Sequence, residues 1–164
     1  MVDEVRKLDL DPEDKPIRYL QDMTTRDEMI AEIKREVIPA LRSLGFKGSV
    51  PHLHRVSEQG HVDLITFQFA SAGGSFVIEI GFADLERNNV YIHKDTPPHK
   101  LRISQTTVRR RVGAEDDKSD YWFAFEGKRP FGITGTPQTL AAAARDLIKS
   151  QAVSWWDAKR TDSR

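Results

Sequence analysis

The chain has no cysteine among its 164 residues. That excludes disulfides, thiolate metal sites and a cysteine nucleophile, and makes an oxidising compartment unnecessary. Long apolar runs are missing too. Stretches such as Leu140–Ala144 fall far short of the ~20 residues that span a bilayer. There is no charge surplus: 25 Lys and Arg balance 25 Asp and Glu, for a formal charge of +0 and a pI near 7.0. Neutralising a polyanion takes excess cations, so the balance argues against nucleic acid or an acidic membrane as a bulk-charge partner. The opening MVDEVRKLDLDPEDK has no apolar segment of the signal-peptide kind. These absences point to a soluble, cytoplasmic globular protein, and the length suits one domain burying roughly 70% of its unfolded surface.

Residues 1–22 mix charges of both signs around Pro12 and Pro16, with sparse apolar positions. They read as an extension ahead of a single domain over 23–157, with 158–164 as a frayed tail. Thr25 and Glu28 form a capping-box pair. Met29, Ile30, Ile33, Val37, Leu41 and Leu44 then recur at helical steps, which predicts a helix over about 26–44. Pro39 is expected to kink that helix, and Gly45 followed by Phe46 to stop it. At the other end, Thr136 as N-cap and Pro137 at the first helical position open a last helix. Its stripe is Leu140, Ala144, Leu147 and Ile148, running to about Ser150, with Trp155 and Trp156 anchoring the tail.

Between the helices the pattern turns to period two. Strands are expected at His52–Ser57, His61–Ala70 and Ser75–Ala83, separated by turns at Glu58–Gly60 and Ser71–Gly74. A four-residue loop at 71–74 pairs 69 with 76, 67 with 78 and 65 with 80. Phe69, Phe76, Phe67, Ile78, Ile65 and Ile80 then share one face, as a buried face requires, and a slip of one residue breaks the match. Thr66, Gln68, Val77 and Glu79 fall on the opposite face. A three-residue loop at 58–60 adds Leu53 beside Ile65 and sets Arg55 opposite Asp63. Asn88–His93 suggests a fourth strand, Leu101–Val112 leans to helix at its end, and Tyr121–Phe125 reads as an aromatic strand. The fold class is therefore α+β: an N-terminal helix, an antiparallel meander of four to six strands and a C-terminal helix, both helices packed on one sheet face.

Several of these stretches resemble a known family. Leu44-Gly45-Phe46, the pair His54-Arg55 and Thr66-Phe67-Gln68, and Ser75-Phe76 to Ile80-Gly81 are similar to the bacterial domain-of-unknown-function family 4304. So are Arg111-Val112-Gly113 and Asp120-Tyr121-Trp122, which match that family's Arg-x-Gly and aspartate–aromatic–tryptophan regions. The family usually has Asn where this chain has Glu79, and a second Trp where it has Phe123. The resemblance spans about 25–150 and implies a small α+β protein without assigned chemistry.

Candidate chemistry is sparse. His52-x-His54 resembles the first cupin motif; alternate strand residues share a face, so both imidazoles with Glu79 form one candidate metal set. The cupin glycine spacing and second histidine motif are absent, and two partly exposed strand histidines explain the pair better. Arg109-Arg110-Arg111 suits phosphate or nucleic-acid backbone, but Glu115, Asp116, Asp117 and Asp120 follow at once and repel a polyanion. No nucleophile elbow, phosphate-binding loop or dinucleotide fingerprint occurs, so the chain leans away from enzymes and no cofactor is implied. Trp122 alternates away from Tyr121, Phe123 and Phe125, onto the face of Thr66, Gln68 and Glu79. With Arg111 these four outline a half-polar binding surface, which favours a non-catalytic interaction module of immunity or regulatory type with a protein partner. A metal-dependent hydrolase or other small-molecule enzyme on His52 and His54 is the alternative, and a weak nucleic-acid binder through Arg109–Arg111 the third. The sequence does not choose between monomer and homodimer.

Overall fold

A computed structural model describes residues 25–86 and 96–162. The expected extension at 1–22 and strand at Asn88–His93 lie outside the described residues. The N-terminal helix comprises α1 (Thr25–Glu32), a π-helical turn (Ile33–Val37) and α2 (Ile38–Ser43). The strands are β1 (Lys47–Ser49), β2 (His52–Val56), β3 (His61–Phe69), β4 (Ser75–Asp84), β5 (Val108–Arg111), β6 (Trp122–Ala124) and β7 (Gly132–Thr134). The C-terminal helix comprises α3 (Pro137–Leu147), a second π turn (Ile148–Ala152) and α4 (Val153–Asp162).

All seven strands form one sheet in the order β1-β2-β3-β4-β6-β7, with β5 alongside the far half of β4. The pairs are antiparallel except β6–β7, which is parallel. The β3–β4 register is the expected one, with Phe69 opposite Phe76, Phe67 opposite Ile78 and Ile65 opposite Ile80. Leu53 meets Ile65 and Arg55 meets Asp63, as the three-residue turn requires. Phe67 is 1% exposed, whereas its neighbour Gln68 is exposed to solvent. Phe67, Ile78, Ile80 and Phe123 enter one buried cluster with Met29, Ile33, Val37 and Leu41 of the N-terminal helix and Leu140, Ala144, Ile148 and Trp156 of the C-terminal helix.

Three elements depart from expectation. Leu101–Val112 carries one short 3-10 turn, Ile103–Gln105, and then β5, not a helix, because Val108–Arg111 finds open backbone partners on β4 at Glu79–Phe82. The three-residue strands β1 and β7 raise the count among the described residues to seven; neither is long enough to show period-two alternation. The C-terminal helix does not end at Ser150, and its residues 158–162 are helical rather than frayed. Trp156 is fully buried and its indole Nε1 donates to the Gly81 carbonyl at 3.0 Å. Arg160 reaches the buried carboxylate of Asp63, which also accepts from Arg55 Nε at 2.9 Å.

Pro39 produces no break. A proline inside an α-helix clashes with the carbonyl four residues back. Here the π turn precedes it: Ile38 N–H donates to the Ile33 carbonyl, and Pro39 occupies the first turn of α2, where no amide is needed. The helix ends at Gly45 (φ 93°), with Gly45 N donating to Arg42 O and Phe46 N to Leu41 O, both at 3.0 Å. That double bond satisfies terminal carbonyls and folds Phe46, 1% exposed, into the core.

The register yields a paired test. Phe67→Ala should lower unfolding stability by about 3–5 kcal/mol, the cost of emptying a packed aromatic site. Gln68→Ala, one residue away, should change it by less than ~0.5 kcal/mol. Chemical-denaturation midpoints of the two variants measure the difference, and equal losses would contradict the assigned faces.

Candidate functional site

On the face that carries Gln68, the registers line up cross-strand rows. His52, Thr66, Glu79 and Arg111 form one row across β2, β3, β4 and β5. His54, Leu64, Gly81 and Arg109 form the next. The face is not uniformly open, contrary to the expectation that it is free. Residues 96–107 cross it, and Leu101 and Ile103 pack on Val62, Leu64 and Ala83 in a second buried cluster. Gly81 permits this approach: a Cβ there would lie 2.4 Å from Ile103 Cδ1. Thr106, 1% exposed, fastens the crossing by donating its hydroxyl to the Phe82 carbonyl at 2.7 Å.

The uncovered half is a polar groove with two adjoining hollows, both bordered by Gln68 and Arg111. One, of about 460 Å³, adds Glu79, Thr107, Arg109 and the loop at Asp117–Asp120. The other, of about 390 Å³, adds Val77, Trp122 and Arg129. Glu79 anchors the floor. Its Oε1 is 3.5 Å from Arg109 Nε, and its Oε2 is 3.4 Å from Arg111 Nε. Arg111 extends towards Asp120 at 3.8 Å. Trp122 is not bare, because the Arg129 guanidinium stacks 4.0 Å from its ring centroid and donates from Nε to Ser75 Oγ.

Four of the five expected binding residues, Gln68, Glu79, Arg111 and Trp122, thus border one continuous surface. Thr66 does not. It is 7% exposed, and its hydroxyl is 3.1 Å from His52 Nδ1. The groove adds Arg129 and Thr107, and it takes Arg109 from the arginine run. Arg109 shares parity with Arg111 once β5 is a strand, so correct reading of that segment would have placed it here. Arg129 comes from a loop and has no periodic signal.

The turn after β5 explains why the groove closes where it does. Arg111 points into the groove and Val112, fully buried, into the core. Gly113 then turns at φ 96°, where a Cβ would strike the Tyr121 ring at 2.4 Å. Gln151 of the second π turn braces this turn, accepting from Gly113 N at 2.5 Å and donating to Ala114 O at 3.1 Å. Asp116 Oδ1 accepts from the amides of Lys118 and Ser119 and from the Ser119 hydroxyl, which holds its carboxyl below the usual range and shapes the acidic loop.

This arrangement of Arg-x-Gly turn, acidic loop and aspartate–aromatic–tryptophan strand accompanies a sequence match. A family model described as a domain of unknown function, DUF4304, matches residues 37–158. The chain belongs to the DUF4304 family. No curated protein and no solved structure matches it.

In this DUF4304 domain the residues of the metal reading do not converge. Thr66 stands between His52 and Glu79 in their row, which at about 4.8 Å per strand separates them by about 10 Å. Both Glu79 oxygens face guanidinia. Among the described residues no group of three or more His, Cys, Asp or Glu side chains is placed to hold a metal ion. The arginine run is split as well. Arg109 and Arg111 pair with Glu79, while Arg110, which also lines the groove beside Asp117, donates to Ala114 O at 2.6 Å.

His52 and His54 are instead weakly basic. Burial holds both below the ordinary histidine value of 6.5, helped by Arg102 for His52 and by His99, Arg102, Lys47 and Arg42 for His54. The unfolded chain therefore takes up protons at these positions before the folded one does. Their contribution to stability is complete above about pH 6.5 and is lost as pH falls through the lower folded values. Replacing His52 and His54 by Gln should flatten the fall in denaturation midpoint between about pH 7 and pH 5; an unchanged slope would show that other groups set it.

Proposed function

We propose that this DUF4304 domain is a non-catalytic bacterial interaction module, of an immunity or regulatory kind, acting in the cytoplasm. It engages a protein partner through the groove bordered by Gln68, Glu79, Arg111 and Trp122. The observation that carries this reading is the pairing of Glu79 with Arg109 and Arg111 on the open half of the sheet. A carboxylate that works as general acid or base needs a free path to substrate. One held between two guanidinia serves as a fixed electrostatic anchor. The surrounding mixture suits a protein surface: an exposed amide at Gln68, a stacked Trp122–Arg129 pair, and both signs of charge within reach. Interfaces are enriched in Trp and Arg and draw specificity from complementary charge. Among the described residues no helix is long and apolar enough to cross a membrane.

A photo-crosslinking residue at position 68, introduced in the native host, tests the surface directly. It should give one discrete protein adduct, and the same residue at the exposed helix position Lys34 should not. Adding Arg111→Ala and Trp122→Ala should remove the adduct while shifting thermal unfolding only slightly, since both side chains border solvent. Persistence of the adduct in that double variant, or an equal adduct from position 34, would place any interface elsewhere.

A further inference from the structure

On the other side of the covering segment the electrostatics are different. A cavity of about 390 Å³ opens between the β1–β2 edge and the turn at Pro98–Lys100, lined by Gly45, Lys47, His54, Arg55, Val56 and His99. None of these is acidic. Lys47 stands directly opposite His54 in the β1–β2 ladder, which sets an ammonium beside an imidazole at the mouth of the cavity. The His99 ring approaches His54 from the covering segment, with centroids 6.1 Å apart. Arg42 and Arg102 lie close enough to oppose protonation of His54. Among the described residues, both donate to main-chain carbonyls: Arg42 to Phe46 and Gly48, Arg102 to Lys100 and Leu101. In the wall, Arg55 Nη2 is buried and has no hydrogen-bond partner; it is 2.8 Å from Asp63 Oδ2 but too oblique to donate to it.

We propose that this cavity is an anion site that takes the phosphate group of a small soluble phosphomonoester. Three features favour that chemistry. Donors arrive from three separate elements, β1, β2 and the covering turn, as a tetrahedral oxyanion needs and a planar carboxylate does not. Among the described residues the lining holds no carboxylate; its Arg55 is answered by Asp63, which leaves Lys47 as the charge that draws an anion to this cavity. The volume lies in the range of small-ligand sites and is too small for a folded partner. Lys47 would give the phosphate a charge-assisted bond, and each imidazole a ring N–H bond that needs no protonation. This site stands independently of the groove, with which it shares no lining residue.

The test monitors histidine side-chain resonances while inorganic phosphate, glycerol phosphate or vesicles containing phosphatidic acid are added to the full chain. Inorganic phosphate and glycerol phosphate should each give saturable shifts at His54 and His99 and none at His61, and vesicles should not sediment the protein. Lys47→Ala removes an exposed side chain, so the fold should persist, and affinity should drop by about tenfold, the loss of one charge-assisted bond. Arg109→Ala, in the groove, should leave affinity unchanged. Shifts that rise linearly without saturating, or that survive Lys47→Ala unaltered, would overturn the site. Binding to vesicles without binding to either soluble probe would overturn its assignment to a soluble phosphomonoester.

Discussion

Phe67 and Ile78 face each other across the β3–β4 ladder, and the other strands inherit their sides of the sheet from that pair. Side chains alternate along a strand, so one buried pair fixes the parity of β3 and β4, and pairing carries it to β2, β5 and β6. The same parity that buries Ile65, Ile80 and Phe123 turns Gln68, Glu79, Arg111 and Trp122 the other way. A slip of one residue would set Glu79 among the helices and Phe67 in water. The floor of the groove is thus a consequence of core packing.

The helices solve a related phasing problem. Met29, Ile33, Val37 and Leu41 are all fully buried and recur at strict four-residue steps, as do Leu140, Ala144, Ile148, Ala152 and Trp156. In an α-helix each such step overshoots a full turn by about 40°, so a stripe of this kind drifts off its target within about three steps. A π turn holds more residues per turn and restores the phase. One occurs in the middle of each repeat, at Ile33–Val37 and at Ile148–Ala152. In the first helix the wider turn also receives Pro39 without a clash, and in the second it brings Gln151 to the Gly113 turn. Core phasing and groove closure therefore meet in the same irregular turn.

These cases show what the amino-acid sequence makes legible. The β3–β4 hairpin could be read to the residue because six apolar side chains had to agree at once, and only one register lets them. The cap at Thr136 and the stop at Gly45 were readable because each rests on local bonding. The strand β5 was not, because Val108–Arg111 has no apolar alternation of its own and takes its structure from β4. The C-terminal helix was cut short at Ser150 because the polar stretch Lys149-Ser150-Gln151 conceals the four-residue repeat that continues to Trp156. The covering of the sheet by Leu101 and Ile103 was hidden for a similar reason: two apolar residues two apart carry no period, and only Gly81 beneath them hints at a close approach. Of the candidate site, parity alone gave Gln68, Glu79, Arg111 and Trp122, while the loss of Thr66 and the arrival of Arg129 depend on neighbours distant in the chain.

The covering segment gives the two halves of one sheet face different recognition chemistry. On one side the guanidinia of Arg109 and Arg111 are answered by Glu79 and Asp120, and a neutralised array of this kind discriminates by shape and by the placement of complementary charges. On the other side Lys47, His54 and His99 converge with no carboxylate in the lining, and such a surface selects first for negative charge. Both sites border the same stretch of chain, His99 on one flank and Thr107 on the other. Between them Ile103 and Thr106 are locked onto Gly81 and Phe82. An anion beside His99 and a partner in the groove would thus meet opposite ends of one segment, residues 99–107. The packing of Ile103 on Gly81 and the Thr106 bond to Phe82 hold the middle of that segment in place, which keeps the two chemistries apart on one sheet face.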